Sequence, residues 1–104
     1  MSSHVILEPK QSGSTEPYTF DFTSKLASGE TISTQIVAAA VYSGTDASPS
    51  SIISGSATAS GAIVTQKLTA GTIGVIYRLT CTITTSSSNT FVLTAFLAVV
   101  LVVT

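Results

Sequence analysis

From position 75 the chain alternates: Val75, Tyr77, Leu79, Cys81 and Ile83 fall on one side, and Arg78, Thr80, Thr82 and Thr84 on the other. A period of two with one apolar face predicts a half-buried antiparallel strand over 75–84, with Ile76 as the one apolar residue on its polar face. Gly71 and Gly74 precede this strand and Ser86-Ser87-Ser88-Asn89 closes it, so 90–94 is expected to return beside it as a hairpin partner. Upstream, Tyr18, Phe20 and Phe22 alternate with Thr19, Asp21 and Thr23, which predicts a strand whose aromatic face is covered. The run 31–42, TISTQIVAAAVY, has two phases: Val37, Ala39 and Val41 suit one face, and Ile32, Ile36 and Tyr42 the other. A bulge near Thr34-Gln35 reconciles them, and the triple alanine is expected to sit in a strand packed closely on both sides. After a serine-rich loop over 43–51, short extended pieces over 52–55 and 57–61 lead to a further strand over 62–68. Short strands at this spacing, with no helical periodicity between them, give an all-β chain and an antiparallel β-sandwich of about seven strands.

The two ends depart from this pattern. Val5-Ile6-Leu7 is an apolar patch followed by polar residues and chain breakers, so residues 1–17 read as an N-terminal arm and linker and 18–104 as the sandwich. The patch either completes the domain's own sheet edge or reaches a neighbouring subunit. The start of the chain has no basic residues and no long apolar run and is not expected to act as a secretory signal. Residues 91–103 are almost wholly apolar. As a helix they would span about 20 Å, short of the ~30 Å of a bilayer core, so a membrane anchor is not expected. A strand apolar on both faces is an aggregation hazard unless it meets a partner. Val5, Ile6, Leu7, Val99, Val100, Leu101, Val102 and Val103 are therefore the expected subunit contacts, and removing residues 99–104 is expected to weaken assembly while leaving the sandwich folded.

Charge and chemistry narrow the function. Four Lys/Arg and five Asp/Glu give a net charge of −1, too little basic surface to hold a nucleic acid backbone. Cys81 is the single cysteine, so there is no intrachain disulfide, and its place on the apolar face makes it a small buried hydrophobe. His4 is the single histidine and stands far in sequence from any carboxylate cluster, leaving no Ser/His/Asp triad and no multi-histidine metal site. Glu8, Glu16, Asp21, Glu30 and Asp46 show no paired acid-base motif. No enzymatic activity, metal or cofactor is expected.

The series Tyr18-x-Phe20-x-Phe22, Leu26-Ala27-Ser28-Gly29-Glu30-Thr31-Ile32, Ser43-Gly44-Thr45-Asp46-Ala47-Ser48-Pro49, Gly61-Ala62-Ile63-Val64-Thr65-Gln66 and Tyr77-x-Leu79-x-Cys81-x-Ile83-x-Thr85 resembles small virion proteins of tailed bacteriophages with an immunoglobulin-like sandwich. The likeness covers about residues 17–97. It implies that strands supply framework, that loops or terminal arms make subunit contacts, and that there are no catalytic residues to carry over. Tyr77 holds a place similar to the tyrosine of immunoglobulin-like domains, although it stands four residues before Cys81 rather than two. The expected role is a non-enzymatic structural protein of the virion that acts as a capsid cement or decoration protein, in contact with copies of itself and with the major capsid or other virion proteins. A head-tail neck or tail component is the alternative. An adhesive carbohydrate-binding module is a further one, which the absence of tryptophan counts against.

Overall fold

The computed structural model describes residues 4–6 and 10–11, by their backbone, and residues 13–100. Strand β7 (Ile76–Thr85) is its centre, and its burial alternates without a break. Val75, Tyr77, Leu79, Cys81 and Ile83 are all buried, as the sequence pattern predicts. Strand β8 (Thr90–Val100) returns antiparallel along it from Thr84↔Thr90 to Ile76↔Ala98, and β4 (Ile32–Ser43) pairs antiparallel on the other side. Two short pieces, β1 (His4–Ile6) and β2 (Lys10–Gln11), run parallel to β8 at its far edge. This gives a five-stranded sheet in the order β1-β8-β7-β4, with β2 also on β8.

The second sheet has three strands: β6 (Ile63–Leu68) lies between β3 (Glu16–Asp21) and β5 (Ile53–Ser60), antiparallel to both. The core fills the space between the sheets. Phe20, Phe22, Val64 and Leu68 come from the small-sheet side and meet Tyr77, Leu79, Cys81, Leu93 and Leu97 from the large one. The architecture is the expected all-β sandwich. Its eight described strands become about seven when β1 and β2 count as one interrupted edge strand.

Four expectations change. The boundary at 17/18 falls inside β3, which begins at Glu16, and residues 4–6 and 10–11 of the N-terminal segment pair with β8. The open edge of β8 supplies the backbone donors and acceptors that such a segment would otherwise leave to water. The bulge of β4 lies between Ile32 and Thr34, just before its expected position, and a second shift follows Val41. The alanine strand is covered on one side: Val37 is buried, whereas Ile36 and Tyr42 are 68% and 63% exposed. Finally, the extended pieces over 52–61 are one strand, β5, interrupted by a register shift between Ser54 and Thr58. Gly55, at φ +73°, supplies the left-handed turn of that bulge. The serine-rich loop ends in a 3-10 turn, Pro49–Ile52, which carries Ile52 wholly into the core.

Candidate interaction surface

The expected contact residues separate into four groups. Val5 and Ile6 lie in β1, with their backbone paired to Ala95 and Phe96 of the same chain. Val99 is 1% exposed, and its backbone exchanges hydrogen bonds with the 74–75 turn, from Gly74 N–H at 3.0 Å and to the Val75 carbonyl at 3.1 Å. The Val99 side chain therefore belongs to this chain's own core, which corrects its reading as a subunit contact. The periodicity of β8 is the reason: Leu93, Ala95, Leu97 and Val99 share the inward face. Val100 is half-buried on the opposite face. Leu7, Leu101, Val102 and Val103 lie outside the described residues.

Among the described residues, exposed apolar surface collects on the outer face of the large sheet. Register places Ile36, Thr82 and Val92 in one row across β4, β7 and β8. Ala38, Thr80 and Thr94 form the next row, and Ala40, Arg78 and Phe96 the one after. Tyr42 reaches over β7 to Phe96, with ring centroids 4.6 Å apart and planes inclined at 58°, a tilted aromatic contact. Among the described residues, Ile36, Tyr42 and Val92 on this face are three of the four large apolar residues that stand exposed, the fourth being Ile73 in the 69–75 loop. Sequence reasoning assigned the surplus apolar residues to the chain ends. The available signal was that Ile36 and Tyr42 stand out of phase with Val37, Ala39 and Val41.

Both ends of the sandwich are tied by carboxylates. At one end Glu30 accepts from Ala27 N–H at 2.9 Å, from the Asn89 amide at 2.9 Å and from the hydroxyl of buried Thr85, linking the 26–31 turn to the β7-β8 loop. The Ala27 backbone bond first, then those of Thr85 and Asn89, hold the Glu30 carboxyl below its ordinary value. At the other end the wholly buried Tyr77 donates its phenol to Asp46 Oδ2 at 2.5 Å and accepts from Thr72 N–H at 2.9 Å. Asp46 is lowered, chiefly by Tyr77 and then by Ser48 N–H. Tyr77 is raised, chiefly by burial and then by Asp46. These bonds tie the 26–31 turn and the loop before the 3-10 turn to β7. Among the described residues there is no group of three or more His, Cys, Asp and Glu able to hold a metal ion.

A cleft of about 290 Å³ opens where β4 faces the bulge of β5, lined by Gln35, Val37, Gly55, Ala57 and Gln66 among others. Gln66, 1% exposed, donates from Nε2 to the carbonyls of Ser54, Gly55 and Lys67 at 3.1, 3.2 and 2.9 Å, and Gln35 donates to Ala57 at 3.1 Å. The two amides thus hydrogen-bond the Ser54, Gly55 and Ala57 carbonyls along the bulged stretch of β5, and Gln66 also that of Lys67 on its own strand. Burial pushes the Cys81 thiol up to about 12, far from the thiolate that reactivity needs.

Against this geometry, a family model described as podophage GP4 fiber-tail adaptor protein gp77 matches residues 10–98. No curated protein matches the chain at a significant level. The matched span runs from β2 into β8 and takes in every described strand except β1 and the last two residues of β8.

Proposed function

The chain belongs to the podophage fiber-tail adaptor family, and from that membership we propose that it is a non-enzymatic structural adaptor joining the tail of a phage particle to its fiber. It is a virion component of a tailed phage. The capsid-cement reading drawn from the residue resemblance gives way to its alternative, a tail component. One observation carries this: the family match covers the sandwich itself, from β2 into β8, rather than an appended segment. The physical character of the molecule supports it. The described carboxylates are engaged in hydrogen bonds, the buried side-chain nitrogens and oxygens of the described residues all have partners, and the large sheet leaves exposed apolar area for a partner.

The test is fractionation of particles. Complete virions, tail-less heads and detached tails are separated on gradients, and the protein is quantified in each by mass spectrometry. It is expected with the tails and missing from the heads, and particles assembled without it are expected to have full heads and no fibers. Recovery on tail-less heads in capsid-like copy number would restore the cement reading and overturn this one.

A further inference from the structure

We propose that the outer face of the β4-β7-β8 sheet is the docking surface for another protein of the tail, one that lays an apolar β surface across it and presents a carboxylate to Arg78. This rests on the adaptor reading and deepens it by naming the surface and the chemistry of the partner.

The two outer faces of the sandwich differ. On the small sheet the outward positions of the β3-β6 pair include Thr19, Asp21, Thr65 and Lys67, an ordinary solvated surface. On the large sheet the corresponding face carries Ile36, Tyr42, Val92 and Phe96, and sheets apolar on both faces are found covered on both. The relief also has a form. Ile36 and Val92 make one ridge, the Tyr42-Phe96 pair makes another, and between them the row Ala38, Thr80 and Thr94 is a trough of small side chains. Four residues of strand separate the ridges, about 13 Å, which suits a row of side chains from a second sheet packed face to face at ~10 Å.

Charge selects the occupant. Arg78 is the single ionised side chain among the β4, β7 and β8 residues of this face, and it has no ion-pair partner among the described residues. The described carboxylates, Glu16, Asp21, Glu30 and Asp46, lie elsewhere and already accept hydrogen bonds from Ser14, Thr23, Ala27 and Tyr77. A guanidinium withdrawn from water without a carboxylate is costly. Two-fold pairing of this face with a second copy buries two Arg78 side chains and brings none of the described carboxylates to either. Head-to-tail stacking of copies sets the polar small-sheet face on the apolar one. A different protein that brings its own Asp or Glu resolves both problems, and a bidentate pair with Arg78 fixes its register.

The experiment uses phage carrying substitutions in this gene, with the protein counted per purified particle and each variant's fold checked by its thermal melt. Arg78 is exposed, so Arg78→Glu should fold and should lower incorporation at least tenfold, whereas Arg78→Lys, which keeps the charge, should lose much less. Ile36→Ser with Val92→Ser reads the same surface without touching its charge and should also lower incorporation. Lys67→Glu, the same charge change on the other sheet, should leave it unchanged. Folded Arg78→Glu protein incorporated at the wild-type level overturns the proposal. So does an isolated wild-type protein that sediments as a discrete dimer which Ile36→Ser dissociates, because a second copy is then the occupant. Wild-type protein found on tail-less heads is a separate failure, that of the adaptor reading itself, and removes the tail partner with it.

Discussion

The polar residues that matter most here are those whose partners lie far away in sequence. Tyr77 joins β7 to Asp46 in the loop before the 3-10 turn and to Thr72 in the loop before its own strand. Tyr77→Phe keeps the ring in the core and removes the oxygen, leaving Thr72 N–H without its acceptor and Asp46 without its phenol donor. A loss of roughly 1–2 kcal/mol is expected, the usual cost of one interior hydrogen bond with a stranded partner, read as a lower denaturant midpoint at unchanged slope. The carboxylates set the pH response. Asp21, Glu30 and Asp46 are each held below their ordinary values of 3.8, 4.5 and 3.8, so their contribution is present above those values and is lost as pH falls through the lower folded ones. Tyr77 is raised above 10.0, so its contribution is present below that value and is lost as pH rises past it. Stability is expected to be level from about pH 5 to 9 and to fall on both sides. In Glu30→Gln the acid limb of the melting-temperature profile should be shallower than in the wild type. Parallel acid limbs for the two proteins would show that the Glu30 carboxylate contributes nothing to it.

At the scale of elements, the sequence was readable wherever one face of a strand is polar. The alternation of β7 marked its buried residues and its partner strand, because a register slip by one residue would turn Leu79 and Cys81 out to water. Alternation fails where both faces are apolar or where the ladder breaks. β4 carries two superposed apolar phases and β8 is apolar almost throughout, so their outer faces could not be told from their inner ones without knowing that the opposing sheet covers one side. The β5 bulge was hidden because its compensation is long-range: Gln66 on another strand and Gln35 on another sheet accept the burden of its carbonyls. The parallel edge of β1 and β2 was hidden as well, since pairing across about 90 residues leaves no local signature. The glycines before β7 were legible as a turn but not as a packing contact. Gly71 has φ +100°, and a Cβ there would lie 2.7 Å from Val99 Cγ2, against a side chain that is itself buried. Gly71→Ala is therefore expected to cost about 1–3 kcal/mol from backbone strain and overpacking together. A midpoint within error of the wild type in a denaturant melt would mean that the 69–75 turn relaxes freely.

For the whole molecule, the question is which parts hold the sandwich together and which are left for assembly. The core is asymmetric: three strands cover one side of a five-stranded sheet, and the last strand of that sheet runs on through Val99 before the apolar residues 101–103. Val99 closes the core against Gly71, and its backbone secures the 74–75 turn from which β7 starts. The sequence reading placed the whole run from 99 in the assembly interface and expected its removal to be harmless to the fold. The structure divides that run. Deleting residues 99–104 removes a buried valine, two backbone hydrogen bonds and the anchor of the central strand, so this truncation is expected to destabilise the sandwich by several kcal/mol, on the order of a large core deletion. Deleting residues 101–104 spares all of these contacts. If the apolar end serves assembly, the shorter truncation should melt like the full chain yet attach to particles poorly. The pair of truncations separates the two roles, with circular dichroism melts reading the fold and particle-bound protein reading attachment. Wild-type attachment by the 1–100 protein would assign no assembly role to the C-terminal residues, and a 1–98 protein with an unchanged melt would show that Val99 closes nothing.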